Sequence, residues 1–329
     1  MTEYPIMKNN FLINNITSMA FTNEGIFYCC CNNSSSSTVI RINGKTPIIE
    51  YDQYHNLVTS TTKFIPCVTV VFSNGMFKGN NNNNEVFTGI CYCNNNIYVL
   101  GSKGIYQIDV NGSRENSLFF SDLQNIKAIQ AYSDKFKKID YLFVSVSNPT
   151  SSNNNNASIY KIDISNPITS NDNTTYNYYY IFDTDDASTF NIDSYGILYI
   201  LNFYSKIISI YNVNKLVNSE NNNVIKNLPL IKFPISTNTN IVHNIHTVVS
   251  NKTYIYYCDS NNISLYDNNG KFIKFIYGKD IRNFDNSYYL SGSIAFDESD
   301  NLYVGKNMHN PPSGSVDTTI LTLITYTKS

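Results

Sequence analysis

Apolar residues along this chain fall into short runs that either alternate with polar ones or stand as clusters of Ile, Val, Tyr and Phe, with Asn, Gly, Ser and Asp between the runs. That is the period-two signature of strands, and no stretch shows the 3.6-residue recurrence of a helix longer than a turn or two. The expected fold is therefore nearly pure strand. A Tyr-bearing strand recurs along the whole length, at Ile26 to Tyr28, Ile97 to Val99, Tyr141 to Phe143, Leu198 to Ile200, Tyr254 to Tyr256 and Leu302 to Val304. The mean spacing of about 55 residues holds four short strands with their turns.

Two copies show the unit most fully. Phe190-Asn-Ile-Asp193-Ser-Tyr-Gly196-Ile-Leu198-Tyr199-Ile200 and Ile294-Ala-Phe-Asp297-Glu-Ser-Asp-Asn301-Leu302-Tyr303-Val304 each run from an apolar strand through a tight polar turn into the Tyr-bearing strand. A third strand follows in most copies, as in Val39 to Ile42, Ile105 to Ile108, Ile159 to Ile162, Ile207 to Tyr211 and Ile263 to Tyr266. Asn43-Gly44, Asn111-Gly112 and Asn269-Gly270 then supply turns that tolerate positive φ. Four-stranded units bury both sheet faces by packing around an axis, and ring closure avoids two exposed terminal sheets. The reading is all-β: a six-bladed β-propeller of four-stranded antiparallel blades, with seven blades as the alternative count, in a single domain over 1–329.

Two stretches sit awkwardly in this scheme. Cys67 to Phe72 reads either as the final strand of the first blade or as the remnant of a seventh. Thr318 to Tyr326 gives one strand where two are needed, so Tyr4 to Ile13 is expected to fasten the ring. The Asn-rich stretches near 80–84 and 153–156 cannot bury anything and are expected to be mobile loops.

The pattern apolar-x-apolar-Asp-x-x-Gly-x-Leu-Tyr-Ile followed by Lys206-Ile-Ile-Ser-Ile-Tyr211 resembles the NHL-repeat propellers and, more loosely, the six-bladed lactonase and SMP-30 group. It is fullest over 187–213, half-matched at 252–277 and 291–306, fainter at 16–45 and 86–112, and degenerate at 126–164. The Pro-x-Gly that usually precedes the first strand of an NHL repeat is missing throughout. The resemblance implies a propeller. For the lactonase group it also implies a divalent metal in the central channel, held by a Glu, Asn residues and an Asp. Glu24 precedes Gly25 without the expected motif around it, so no catalytic or metal-binding residue is carried over.

Composition narrows the function classes. Hydrophobic residues make up 42% of the 329, with 27 Tyr and 19 Phe, which is ample core material. Charged residues are only 15% and the net charge is −2, so no global field draws a polyanion or an anionic membrane, and only a local patch could do so. No apolar run approaches bilayer-spanning length, and residues 1–15 lack a signal-peptide pattern, so the expectation is a cytoplasmic chain with no membrane contact. Seven cysteines without an export signal are expected as reduced thiols. Asn-x-Ser/Thr sequons occur no more often than this Asn-rich composition produces by chance.

Candidate chemistry is sparse. Asp193 and Asp297 occupy tight turns, where a carboxylate accepts backbone N–H bonds. Asp183, Asp185 and Asp186 form an acidic turn without an EF-hand frame. Cys29 to Cys31, Cys91, Cys93 and Cys258 read as small apolar filler. His243 and His246 are spaced for opposite faces of a strand. No Gly-x-Ser-x-Gly elbow or phosphate-cradling loop is present.

The long second-to-third links at 32–37, 147–157 and 305–314 and the inter-blade link at 278–291 emerge on one face, where recognition loops belong. They carry the candidate binding residues Lys279, Arg282, Phe284, Tyr288, Tyr289 and His309, several of them of hot-spot type. The sequence thus points to a non-catalytic binding or scaffold propeller engaging a protein partner through its long-loop face, with no cofactor, although calcium or another divalent metal would be compatible. The alternatives are a metal-dependent lactonase-type hydrolase in the channel and, more weakly, single-stranded RNA binding. Nucleic acid is disfavoured by the low Lys and Arg content.

Overall fold

The computed structural model describes residues 2–5, 16–22, 26–32, 37–43, 67–73, 86–109, 117–147, 157–170, 173–184, 189–202, 205–216, 229–235, 247–251, 253–259, 262–278, 288–296, 302–308 and 320–324. Among them are six four-stranded antiparallel sheets, each built from neighbours in sequence. The first blade consists of Ile16–Phe21, Phe27–Asn32, Ser37–Asn43 and Cys67–Ser73, and the second of Gly89–Cys93, Asn96–Gly101, Gly104–Asp109 and Ser117–Phe120. The third blade has Ile126–Asp134, Ile139–Ser147, Ala157–Asp163 and Tyr178–Thr184, with a small hairpin of Ile168–Ser170 and Asn173–Thr175 before its last strand. The fourth has Thr189–Ile192, Ile197–Asn202, Ile207–Asn212 and Ile231–Pro234, and the fifth Thr247–Ser250, Tyr254–Cys258, Asn262–Asp267 and Phe272–Gly278. The sixth takes Tyr288–Phe296, Leu302–Met308 and Ile320–Ile324 from one end of the chain and Thr2–Pro5 from the other.

The last blade closes the ring. Thr2 to Pro5 pair antiparallel with Leu323 to Ile320, supplying the fourth strand that the C-terminal stretch lacks. First strands of successive blades lie against one another all the way round, and that of the sixth lies against that of the first. The molecule is a closed six-bladed β-propeller. Cys67–Ser73 pairs with Ser37–Asn43, so the ambiguous apolar stretch is the outer strand of the first blade.

One apolar cluster fills each of the six blade junctions. Alternation along each strand sends neighbouring residues into different junctions. In the second blade Ile97 and Val99 pack toward the first, whereas Tyr98 and Leu100 pack toward the third. This is why the second strands read as unbroken apolar runs: both of their faces are interior. The recurring aromatic points the same way in every blade. Tyr28, Tyr98, Phe143, Tyr199, Tyr256 and Tyr303 each enter the junction with the following blade. At the last junction the Tyr303 ring lies 4.7 Å from that of Phe21, and at the one before it the Tyr256 ring lies 5.0 Å from that of Phe296.

The cysteines follow the same alternation. Cys29 and Cys31 pack toward the sixth blade and Cys30 toward the second, while Cys91, Cys93 and Cys258 also lie in junctions, all as free buried thiols. No described helix is long and apolar enough to cross a membrane.

Candidate functional site: the central channel and its two mouths

The first strands surround a central channel of about 1070 Å³. Its wall mixes polar residues, among them Thr17, Ser18, Thr88, Gln130, Asn191 and Ser293, with apolar ones such as Ala128, Ala131 and Val249, and its charged residues among those described are Lys127, Lys135 and Asp193. Strand period two dictates this: residues facing the axis alternate with those that enter the junctions, and a wet channel tolerates hydroxyls and amides.

Many of these polar groups are occupied in joining neighbouring blades. The Thr17 hydroxyl donates to the Phe87 carbonyl at 3.1 Å, and the Ser18 hydroxyl accepts from the Ile90 N–H at 3.1 Å, linking first blade to second. Cys93 and Ser133 meet at 3.4 Å between second and third, and the Tyr132 hydroxyl donates to Asn214 at 3.1 Å between third and fourth. Ser250 donates to Asp193 at 3.5 Å between fifth and fourth.

Asp193 is the group on which channel chemistry would turn, and its carboxylate is engaged. Oδ1 accepts from the backbone N–H of Tyr195 and of Ile197, each at 2.9 Å, and Oδ2 accepts from the Tyr199 hydroxyl at 3.2 Å. Burial pushes the Tyr199 hydroxyl pKa well up, so it stays protonated and keeps donating. The fifth blade repeats the device with an amide: Asn251 Oδ1 accepts from the N–H of Thr253 and Tyr254, and its Nδ2 donates to the Tyr256 hydroxyl at 3.3 Å. The turn-forming role expected of Asp193 is what the structure shows; Asp297 lies outside the described residues.

The resemblance to lactonase propellers raises the question of a divalent metal. Among the described residues no group of three or more His, Cys, Asp or Glu side chains comes together. With Asp193 Oδ1 engaged by the turn and Oδ2 by the Tyr199 and Ser250 hydroxyls, the described wall does not fit a hard cation that wants several free oxygens. Asp183 accepts from the Ser158 hydroxyl at 2.6 Å within its own blade; Asp185, Asp186, His243, His246 and Glu24 lie outside the described residues.

Of the candidate binding residues, Lys279, Arg282, Phe284 and His309 lie outside the described residues. Tyr288 and Tyr289 open the first strand of the sixth blade, their backbones paired with Met308 and Asn307. First-to-second links are short wherever both strands are described, as expected. Long links are not confined to one end, however: the chain from Asn43 to Cys67 and from Asn212 to Ile231 joins third to fourth strands, at the end opposite the second-to-third and inter-blade links.

That opposite end holds what sequence reading missed. The turn after Ile126–Asp134 carries Lys135-Phe136-Lys137-Lys138 beside the channel mouth, with the Phe136 ring 98% exposed. Asp134 fixes the turn by accepting from the N–H of Phe136 and of Lys137, each at 3.1 Å, and by pairing with the Lys137 ammonium at 3.4 Å. The Lys137 N–H, foremost, holds the Asp134 carboxyl below its ordinary range against the opposing effect of burial. Lys138 closes the turn at φ 56°.

No family model matches the chain, and no curated protein matches it. Among solved structures it is similar to a gluconolactonase of Xanthomonas campestris, with a TM-score of 0.55 at 9% identity over 98% of this chain and 96% of the other. It is similar too to a PQQ-bound aldose sugar dehydrogenase of Streptomyces coelicolor, with a TM-score of 0.52 at 9% identity over 96% of this chain and 98% of the other. At such identity the likeness is one of fold.

Proposed function

We propose that the chain is a non-catalytic binding propeller, a scaffold that meets a protein partner through the end bearing its second-to-third and inter-blade links. The observation that carries this reading is the state of Asp193. A catalytic or metal-binding carboxylate needs a free lone pair aimed at the reacting centre, whereas both oxygens here are committed to the turn and to Tyr199. The Thr17, Ser18 and Tyr132 hydroxyls on the wall likewise act between blades. What remains is a rigid ring presenting links, the arrangement in which recognition is carried by loops. Lys279, Arg282, Phe284, Tyr288, Tyr289 and His309 are the residues assigned to the contact, with Arg and Tyr as its anchors.

The test is capture of partners from native extract with the wild-type chain and with an Arg282/Tyr288/Tyr289 triple-alanine variant. One specific protein retained by the first and lost by the second supports the reading. Calorimetric binding of calcium or zinc that disappears in a single channel-carboxylate variant, together with hydrolysis of a lactone, would replace it with the hydrolase.

A further inference from the structure

Each first strand runs toward the short-turn end of the disc, so the first-to-second and third-to-fourth links share that end. Across the third, fourth and fifth blades six large side chains of apolar body stand in water there, the sixth being Tyr178 at the start of the third blade's fourth strand. Phe136 is 98% exposed and Tyr195 56%, both in first-to-second turns; Ile168 is 48%, Leu230 54% and Ile273 43% exposed, in third-to-fourth links or at the start of fourth strands. Exposed lysines accompany them: Lys135, Lys137 and Lys138 around Phe136, Lys215 in the fourth blade and Lys271 beside Ile273. Four of the described aspartates at the same end are turned onto the backbone. Asp134, Asp163, Asp193 and Asp267 each accept two N–H bonds within their own turns. Lys137 is paired with Asp134, and a hydrogen-bonded carboxylate keeps its charge, but residues 134–140 hold three lysines against two aspartates, so the tip around Phe136 is cationic although the chain carries −2 overall.

We propose that this end of the disc docks on a membrane surface rich in anionic lipid, with Phe136 entering the headgroup–acyl boundary and the flanking lysines resting on the headgroups. The apolar side chains stand on separate turns and links, and lysines flank Phe136 and Ile273. A protein partner is recognised by a contiguous, desolvated centre ringed by polar groups, whereas a fluid interface accepts separated points. Single-stranded nucleic acid would favour stacking aromatics with Arg, and Ile168, Leu230 and Ile273 cannot stack a base. The expectation of no membrane contact rested on the lack of a spanning run and on overall charge, and neither bears on a peripheral contact.

The experiment is co-sedimentation of the full chain with phosphatidylcholine vesicles, with and without phosphatidylserine. Wild type should partition onto the phosphatidylserine vesicles and stay in solution with phosphatidylcholine alone, and added salt should release it. Phe136→Ser should weaken partitioning by roughly tenfold or more, and each of Lys135→Gln and Lys138→Gln by about fivefold, with thermal unfolding unchanged because these side chains are exposed. No partitioning by wild type, or equal partitioning by wild type and all three variants, overturns the proposal. Retention of single-stranded RNA or polyglutamate in place of vesicles overturns it too and assigns the face to that class of partner.

Discussion

Gly196, Asp193 and Tyr199 show how much of a blade depends on three side-chain choices. Gly196 sits at φ 77°, and a Cβ there would come within 2.8 Å of the Tyr132 hydroxyl and 2.9 Å of Val213. Gly196→Ala therefore combines left-handed backbone strain with a clash in the third-to-fourth junction, and equilibrium urea unfolding should show a loss of at least about 1–2 kcal/mol. Tyr199→Phe removes only the hydroxyl, and with it the hydrogen bond to Asp193, and should cost about 1 kcal/mol. Tyr199→Ala also empties the junction and should cost about 3–5 kcal/mol; equal penalties for the two would contradict the packing described. Burial raises the pKa of Cys30, Cys91 and Cys258, and that of Cys93 to about 12. These thiols should resist a thiol reagent at pH 8 in the folded protein and react at once in denaturant. Asp193 and Gly196 were legible in the sequence because a turn with one positive-φ residue leaves few chemical options. The engagement of Asp193 by Tyr199 was not, since it joins a turn to a side chain six residues on through strand pairing.

At the level of the element, the turn Asp134 to Lys138 carries a pH prediction. The folded Asp134 pKa lies below its unfolded value, so its contribution to stability is fully present above about pH 4 and is lost as pH falls through the folded value. Asp134→Asn should lower the urea midpoint at pH 7, and the gap to wild type should close on acidification; a gap that widened in acid would reverse the assigned sign. Apolar runs with a Tyr were easy to read as strands because both faces are interior. The hairpin of Ile168–Ser170 and Asn173–Thr175 was invisible, being polar and mostly exposed. So was the Phe136 tip, which lies in the stretch where the repeat is most degenerate and where one aromatic among lysines carries no periodicity. Channel-wall positions also escaped, since Thr, Ser and Asn facing an axis look in sequence like Thr, Ser and Asn facing bulk water.

Over the whole molecule, architecture was readable because one junction is repeated six times and a consistent pattern accumulates evidence that no single blade provides. Function was not, since the channel wall uses its polar groups to hold itself together and the faces differ only in their links. Removing residues 2–5 leaves the sixth blade without its outer strand and exposes the edge of Ile320–Ile324. A lower and broader thermal transition with a tendency to associate is expected, measured by calorimetry and light scattering, while the internal deletion of 81–84 should leave the transition where it is.

The seam between Thr2–Pro5 and Ile320–Ile324 also governs how the molecule yields to tension. Thr2 stands opposite Leu323 and Pro5 opposite Ile320, so a pull on the two ends of the chain loads the ladder one rung at a time from its open side instead of shearing all rungs together. A tethered molecule should unzip there first, at low force, and only then surrender its remaining blades.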